Sequence, residues 1–304
     1  MPSTSSTPDS DRNRGPRRVL VAGCLALLVI TAGCNGLLGF DGETTPDADS
    51  SLDPATVPGV DTNDSVDANR LASAHADTLS NRSFTAEQRV VVRGANGSIL
   101  RETHSVSRMA ANRTRYRFEQ TIAGPAAVEN DRNATVRLFA DGQRAYRSLR
   151  VDERTQQELV RGADGEPLDP RAAFGPQPTL RNRIELVLGV AENTSVSATD
   201  DSVTITGTAD GSALGPMSRD LRAVENGTVS VTVAPNGRVI EYTIAYDARL
   251  DDESVRVRET VAIFGVGETN IVRPAWVAEI TEEDATTEDR RLPPALTTVG
   301  LLRH

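Results

Sequence analysis

Lysine is absent from the sequence: all 33 basic residues are arginine, and 43 aspartates and glutamates give a formal net charge of −10. Clustered basic side chains are what bind phosphate backbones and anionic membrane surfaces, so a chain this acidic is repelled by both. We therefore expect no nucleic-acid partner. The 304 residues are enough for one sizeable domain with its own core.

Cysteine and histidine are almost as scarce. The two cysteines are Cys24 and Cys34, and none of the three histidines, His75, His104 and His304, stands at metal-ligand spacing from another. Cys24 falls in an N-terminal apolar run that we expect to be removed, so the mature chain has no intramolecular disulfide. The serine-hydrolase, zinc-protease, phosphate-loop and dinucleotide-binding motifs are missing. We predict no catalytic residue, no metal and no cofactor, and therefore no enzyme.

The first 33 residues have the pattern of a secretion signal. Residues 1–18 are polar and end in a basic cluster, and an apolar run follows over 19–32. This run of 14 residues is shorter than the roughly 20 that a membrane-spanning helix needs. Thr31-Ala32-Gly33-Cys34 closes the run and resembles a lipobox, in which the cysteine is lipidated and becomes the first mature residue. We predict lipidation at Cys34, and a chain anchored to the outer face of the cell membrane.

The export route is indicated by an arginine pair. Arg17 and Arg18 precede the apolar run, and Arg17-Arg18-Val19-Leu20 resembles a twin-arginine signal, which exports folded proteins. Pro16 stands where that signal usually has serine or threonine. The general secretory route therefore stays open as the alternative.

Aromatic residues make up only 4% of the chain. With abundant carboxylates, many small residues and arginine in place of lysine, this composition resembles that of haloarchaeal proteins. Residues 1–33 hold four of the arginines and two of the acids, which leaves 29 arginines against 41 acids and a mature charge of −12. We expect a fold that depends on salt, because 1 M salt shortens charge repulsion to about 3 Å.

Composition divides the chain into four segments: the signal peptide (1–33), an acidic flexible tether (34–66), a folded domain (67–277) and an acidic loose tail (278–304). Leu71, His75 and Leu79 share one stripe and predict a helix from Asp67 to Asn81. We interpret His75 on this stripe as a hydrogen-bonded core residue.

From Phe84 onward the hydrophobic period changes to two, which is typical of strands. In the first strand, Phe84, Ala86, Val90 and Val92 alternate with Thr85, Glu87, Arg89 and Arg93. Asn96-Gly97, Asp141-Gly142 and Asn236-Gly237 are hairpin-turn signals. The pattern predicts a mainly β (α+β) fold: a curved antiparallel sheet or half-barrel of about ten strands, with two or three helices packed on its concave face. Inserted helices are predicted over 179–192 and, less regularly, over 213–224.

Two resemblances extend this prediction. The lipobox, the tether, the helix with His75, the segment Ser80-Asn81-Arg82-Ser83-Phe84 and the closing Pro274-Ala275-Trp276 resemble haloarchaeal lipoproteins of unknown function, over most of residues 30–277. The element order is similar to the half-barrel of the LolA/LppX lipoprotein-carrier superfamily. That second resemblance has no diagnostic motif, and it implies a fold rather than an activity.

Two functions are compatible with these patterns. Tyr116, Phe118, Tyr242 and Tyr246 are candidate lining for a lipid or another hydrophobic ligand in the concavity of the sheet. The same residues would also fill the closed core of an envelope interaction or structural module that binds no ligand. Among seven N-x-S/T sequons, Asn96 and Asn226 stand at predicted turns and are the favoured glycosylation sites.

Overall fold

The computed structural model describes residues 52–61, 63–127, 133–174, 179–210 and 221–280. All of them belong to the second of two units, Met1–Ala48 and Asp49–His304. Cys34, the arginine pair Arg17 and Arg18, and nearly all of the acidic tail lie outside these ranges. Within the described ranges, no helix is long and apolar enough to cross a membrane.

Eleven antiparallel strands form a single sheet, which confirms the predicted mainly β fold. The strands are β1 (Phe84–Gly94), β2 (Ile99–Met109), β3 (Arg115–Ala123), β4 (Ala134–Asp141), β5 (Ala145–Val151), β6 (Arg154–Leu159), β7 (Ala191–Ala198), β8 (Val203–Ala209), β9 (Leu221–Val233), β10 (Val239–Leu250) and β11 (Glu253–Phe264). The helices are α1 (Ala68–Leu79), α2 (Pro170–Phe174) and α3 (Arg181–Gly189). All three predicted Xaa-Gly turns connect neighbouring strands.

The strand order explains where the helices lie. Along the sheet the order is β6-β5-β4-β3-β2-β1-β11-β10-β9-β8-β7, so the first and last strands pair at the centre. Strands β6 and β7 are consecutive in the chain but occupy opposite edges. The segment between them must therefore pass across the sheet, and it carries α2 and α3.

One face of the sheet holds the main core. The inward residues of β1 are those that the alternating pattern predicts: Phe84 and Val92 are buried, while Arg89 and Arg93 are exposed on the other face. The main cluster also contains residues from all three helices, so the helices pack on the inner face. Burying such apolar surface stabilises the fold by about 25 cal/mol per Å².

Helix α1 begins and ends where its flanking residues predict. The Asp67 carboxylate accepts a hydrogen bond from the backbone N–H of Arg70 at 2.9 Å and so caps the first turn. The helix ends before Asn81, whose φ of 57° is left-handed. Across from α1, the Arg181 guanidinium of α3 donates to the hydroxyl of Ser73 at 3.2 Å.

The folded domain begins earlier than residue 67. Val57 and Val60, which lie in the predicted flexible tether, are buried in the main cluster. The carbonyl of Gly59 accepts a hydrogen bond from the N–H of Asp67, and Val60 bridges Val66. Two isolated valines in a polar segment carry no periodicity, so their burial depends on contacts that only the folded sheet and α1 supply.

The inserted helices are shorter than predicted. Helix α3 covers Arg181–Gly189, and β7 starts at Ala191, inside the predicted helix range 179–192. Residues 221–224 belong to β9 rather than to a helix, because they pair with the end of β10; residues 211–220 lie outside the described ranges.

The outer face carries a smaller apolar cluster. Phe139 and Tyr146, from neighbouring strands, stack with their ring centroids 6.4 Å apart, and Ile271 and Val277 of the C-terminal segment cover them. Trp276 packs against the same cluster. The C-terminal segment is thereby attached to the convex side, away from the helices.

Candidate ligand cavity

A charged network at the centre of the inner face joins α3 to the sheet. The Arg183 guanidinium lies 2.7 Å from one Glu259 oxygen, and the other oxygen accepts hydrogen bonds from the Tyr242 hydroxyl (2.8 Å) and the Gln88 amide (2.9 Å). Glu259 is fully buried. Burial acts to lower the pKa of Arg183, but the charges of Glu259 and Tyr242 and the hydrogen bonds to both together outweigh it, so the pKa lies above its usual value. Burial, together with Glu259, raises the pKa of Tyr242 well above 10.0.

Sequence reasoning missed this network, although a signal for it existed. In β11 the inward positions are Val255, Val257, Glu259, Val261 and Ile263. A single glutamate among valines on a buried face needs a partner, because an unpaired buried charge is very costly. The alternation therefore indicates a buried ion pair, but it does not identify Arg183 as the partner.

His75 connects α1 to two other parts of the fold. Its Nδ1 accepts a hydrogen bond from the N–H of Val239 at 3.1 Å, and its Nε2 lies 2.9 Å from the Thr179 carbonyl. These partners assign the neutral tautomer with the proton on Nε2. Burial lowers the pKa of His75 from 6.5 to about 4. Its structural role agrees with the sequence interpretation.

A cavity of 770 Å³ opens at one end of the inner face. It lies where the end of α1, the turn between β2 and β3, and α2 converge. Its lining residues are Ala76, Ser80, Asn81, Met109, Ala111, Asn112, Arg113, Arg171, Ala172, Phe174 and Thr179. Met109 and Phe174, both buried members of the main core, provide the large apolar side chains of the wall. The volume lies within the range of roughly 300–1,000 Å³ that is usual for small-molecule sites.

Two arginines stand among the cavity's polar residues. Arg113 donates to the carbonyls of Leu79 and Arg82 at the end of α1, and its guanidinium carbon lies 4.8 Å from the centre of the Phe84 ring. Burial lowers the pKa of Arg113. Arg171 is exposed, and its guanidinium donates to the Asn112 carbonyl at 3.1 Å. Sequence reasoning did not single out either arginine.

The four aromatic residues predicted to line a ligand site are all buried, and none of them lines this cavity. Tyr116 and Phe118 lie directly behind its wall, with ring centroids 4.9 Å and 6.2 Å from that of Phe174. Tyr242 belongs to the Glu259 network, and Tyr246 is packed in the core. Contact of any of the four with a ligand stays a prediction.

The Tyr116 hydroxyl is buried and has no hydrogen-bond partner within the described part of the chain. Burial, and secondarily the charge of Asp169, raises the pKa of Tyr116 above its ordinary value.

The two favoured glycosylation sites differ in their setting. Asn96 is exposed in the turn between β1 and β2, as predicted. Asn226 is exposed too, but it lies inside β9 rather than at a turn. There the register with β10 shifts, the φ of Asn226 is 51°, and its side-chain amide donates to Asp247 at 3.2 Å. Glycosylation of either residue stays a prediction.

Within the residues that the structure describes, no three His, Cys, Asp or Glu side chains are grouped so that they could hold a metal ion. What the arrangement offers is an apolar wall next to fixed cationic and amide groups. Such a surface binds and orients a molecule that has both an apolar and a polar end.

No protein-family model matches the chain, and no curated protein sequence matches it. Among solved structures, it is similar to the lipoprotein LppX of Mycobacterium tuberculosis, with 13% identity and a TM-score of 0.33 over 67% of this chain and 97% of LppX. The protein Rv2717c of the same organism has 10% identity and a TM-score of 0.21 over 63% and 96% of the two chains. A DUF1329 family protein from Desulfovibrio piger has 8% identity and a TM-score of 0.25 over 68% and 93%. TM-scores this low do not indicate a shared function, so the function is inferred from the cavity itself.

Proposed function

We propose that this protein is a lipid-anchored surface lipoprotein whose half-barrel domain binds a hydrophobic ligand in the cavity between α1, α2 and the β2–β3 turn. The observation that supports ligand binding is the 770 Å³ cavity with the Met109 and Phe174 side chains in its wall. Open clefts of this volume with an apolar wall are the usual sites of small-molecule binding. An apolar wall selects an occupant with apolar surface.

Anchoring is supported by the sequence. The lipobox-like segment ends at Cys34, and a twin-arginine-like pair, Arg17 and Arg18, precedes the apolar run. Two acyl chains provide the two membrane signals that stable anchoring requires. The residues between Cys34 and the first described residues then connect the domain to the outer face of the cell membrane.

Ligand binding is tested on the full chain carrying Cys34→Ser, so that no acyl anchor is attached. Lipid held by an uncleaved N-terminal apolar run is common to all variants, so the lipid of the cavity is the difference from Ala172→Trp. Protein purified without detergent is extracted and the extract analysed by mass spectrometry. We expect about one lipid per chain. Ala172→Trp, which fills the cavity, removes that lipid, whereas Ala55→Trp, a matched change at an exposed residue outside the cavity, retains it.

An empty extract does not yet decide the question, because purification can strip a ligand. The same proteins are therefore titrated with the methyl ester of cis-parinaric acid, which fluoresces in apolar surroundings. Failure of both measurements with the unsubstituted cavity overturns the proposal. It would favour the alternative, an envelope interaction module with a closed core, which the complete burial of Tyr242 and Tyr246 supports.

Anchoring has its own test. Protein with Cys34 should fractionate with membranes and partition into detergent, and its mature N-terminus should be a lipidated cysteine by mass spectrometry. Cys34→Ser should leave the signal uncleaved or release the chain. An unmodified Cys34, or a mature N-terminus elsewhere, contradicts anchoring without affecting ligand binding.

A further inference from the structure

The charged residues that line the cavity have the opposite sign to the net charge of the whole chain. Acidic residues outnumber arginines by 43 to 33 over the whole chain, yet the described residues that line the cavity include two arginines and no aspartate or glutamate. Local potential in a concave site is set by the charges that face it and is focused by the low-dielectric wall. The charged side chains that line this cavity are therefore positive, on a protein that is acidic as a whole.

Neither arginine is neutralised by a carboxylate within the described residues. Among the described residues, the partners of Arg113 are backbone carbonyls and the Phe84 ring. In the same part of the chain, the Arg171 guanidinium donates to the Asn112 carbonyl. The nearby Asp169 carboxylate accepts a hydrogen bond from the backbone N–H of Arg171, at 2.8 Å, and not from its guanidinium.

The two guanidinium groups play different parts. Arg113 is half-buried and holds the end of α1 to the β2–β3 turn, so its charge is a fixed feature of the mouth. Arg171 is exposed, and the hydrogen bond to Asn112, the residue before Arg113, keeps it beside that fixed charge while its other N–H groups are available. A guanidinium in this position can bind a carboxylate or a phosphate with two parallel hydrogen bonds.

We propose that the ligand of this cavity is a small anionic amphiphile, whose apolar chain lies against Met109 and Phe174 and whose anionic head is bound by Arg171 beside Arg113. This inference rests on the proposed function, since it names the class of ligand for the same site. Fatty acids and single-chain phospholipids share this chemistry.

The test compares two probes that differ only in charge. cis-Parinarate at pH 8 is anionic, and its methyl ester has the same chain without the charge. Both are titrated by fluorescence into the full chain carrying Cys34→Ser in molar KCl. Binding by the N-terminal segment is common to all variants, so the signal that remains with Ala172→Trp is subtracted for each probe. We expect parinarate to bind about tenfold more tightly than the ester, as one charge-assisted hydrogen bond predicts.

Arg171→Gln should weaken parinarate binding about tenfold and leave the ester unchanged, since it removes one charge-assisted hydrogen bond and no apolar contact. Arg171→Lys should retain part of the preference. Arg222→Gln, a charge-matched change at an exposed residue of β9 outside the cavity, should alter neither probe. Arg171 is the informative position, because Arg113→Gln would also disturb the end of α1.

Displacement of parinarate by oleate and, separately, by lysophosphatidylglycerol distinguishes a fatty-acid ligand from a phospholipid ligand. Preferential displacement by the first assigns a fatty acid, and by the second a phospholipid head. Equal binding of parinarate and its ester to the unsubstituted cavity overturns the anionic ligand and leaves the proposed function standing. Binding of neither probe overturns both.

Discussion

His75 shows how a single side chain can make this fold sensitive to pH. Its ring is fully buried, accepts a hydrogen bond from the N–H of Val239 and donates to the carbonyl of Thr179. Protonation would place a hydrogen on Nδ1, break the first of these bonds and bury a charge. The folded protein therefore binds this proton more weakly than the unfolded chain does, and acid must destabilise the fold through this residue.

We expect the stability contributed by neutral His75 to be complete above pH 6.5 and to be lost as the pH falls toward its folded pKa of about 4. The shift corresponds to about 3 kcal/mol of unfolding free energy. Denaturant titrations in molar KCl between pH 7 and pH 4 measure it. His75→Gln should be less stable at pH 7 but should lose less stability on acidification.

His104 supplies the control for this measurement. It is exposed on the outer face, 2.7 Å from the Glu87 carboxylate, and it has no buried hydrogen bond to lose. His104→Gln should retain the pH dependence of the wild type. Equal slopes for wild type and His75→Gln between pH 6.5 and pH 4 would rule out the role of His75.

At the scale of elements, the molecule depends on how α1 and α3 are fixed to the sheet. The turn between β9 and β10 approaches α1 closely: a Cβ on Gly237 would lie 2.7 Å from the Cβ of Ala74. The turn between β1 and β2 has an equivalent glycine, Gly97, with the same φ of 82° and nothing within 4 Å. The two Asn-Gly turns therefore differ in tertiary contact and not in backbone geometry.

Substitution of Gly97 and of Gly237 distinguishes the cost of turn strain from the cost of disturbed helix packing. Gly97→Ala should cost about 1 kcal/mol, which is the penalty of left-handed backbone for a residue with a Cβ. Gly237→Ala should cost roughly 1–3 kcal/mol more, because α1 must move away from the turn. Thermal unfolding in molar KCl measures both. Restoring most of the difference with Ala74→Gly would confirm the contact, whereas equal costs at the two glycines would contradict it.

Helix α3 is held by the Arg183–Glu259 pair. Glu259→Leu would leave the nearly buried Arg183 without its carboxylate, and we expect a loss of about 3–5 kcal/mol in unfolding free energy. Adding Arg183→Leu should recover a large part of that loss, since the unpaired charge is then gone. The part that remains belongs to Tyr242 and Gln88, which lose their acceptor.

Denaturant titration of the two single variants and the double variant gives the coupling free energy. Arg147→Leu with Glu158→Leu, which removes an ion pair between β5 and β6 that is about a third exposed, is the matched control and should show a coupling near the small values of surface pairs. Additive losses at Arg183 and Glu259 would show that the pair does not fix α3.

At the scale of the whole molecule, charge determines the conditions under which the fold is stable. The formal charge is −10 for the full chain and −12 once residues 1–33 are removed. Ion pairs on the outer face, including the Glu119 carboxylate shared by Arg117 and Arg137, leave this excess of acids in place. Repulsion between the remaining carboxylates opposes the compact state when salt is low.

We expect circular dichroism in molar KCl to show a cooperative β-rich fold whose unfolding temperature falls as the salt is removed. Salt limits the range of charge repulsion to about 3 Å at 1 M, whereas at 0.1 M the range is about 10 Å. Repulsion between carboxylates therefore returns as the ionic strength drops. Sucrose at matched viscosity serves as a control for non-ionic stabilisation. Undiminished stability in dilute buffer would contradict the halophilic interpretation of the composition.

The sequence alone determined which residues face inward and where the chain turns. A period of two requires successive side chains to lie on opposite faces of a strand, so Phe84 and Val92 were placed without any knowledge of their neighbours. The Asn96-Gly97 and Asn236-Gly237 turns were predicted because only certain residues adopt left-handed backbone at no cost. The edge strand β6, Arg154–Leu159, has no apolar alternation and was missed, since its pairing with β5 defines it.

Which distant residues meet depends on the tertiary structure. Arg183 and Glu259 are 76 positions apart, and the two arginines of the cavity come from α2 and from a turn between strands. Patterning encodes the face on which a side chain lies but not what lies opposite, because that depends on how the segment between β6 and β7 crosses the sheet. For the same reason the burial of Val57 and the cavity beside Phe174 became visible only once the helices were packed on the inner face.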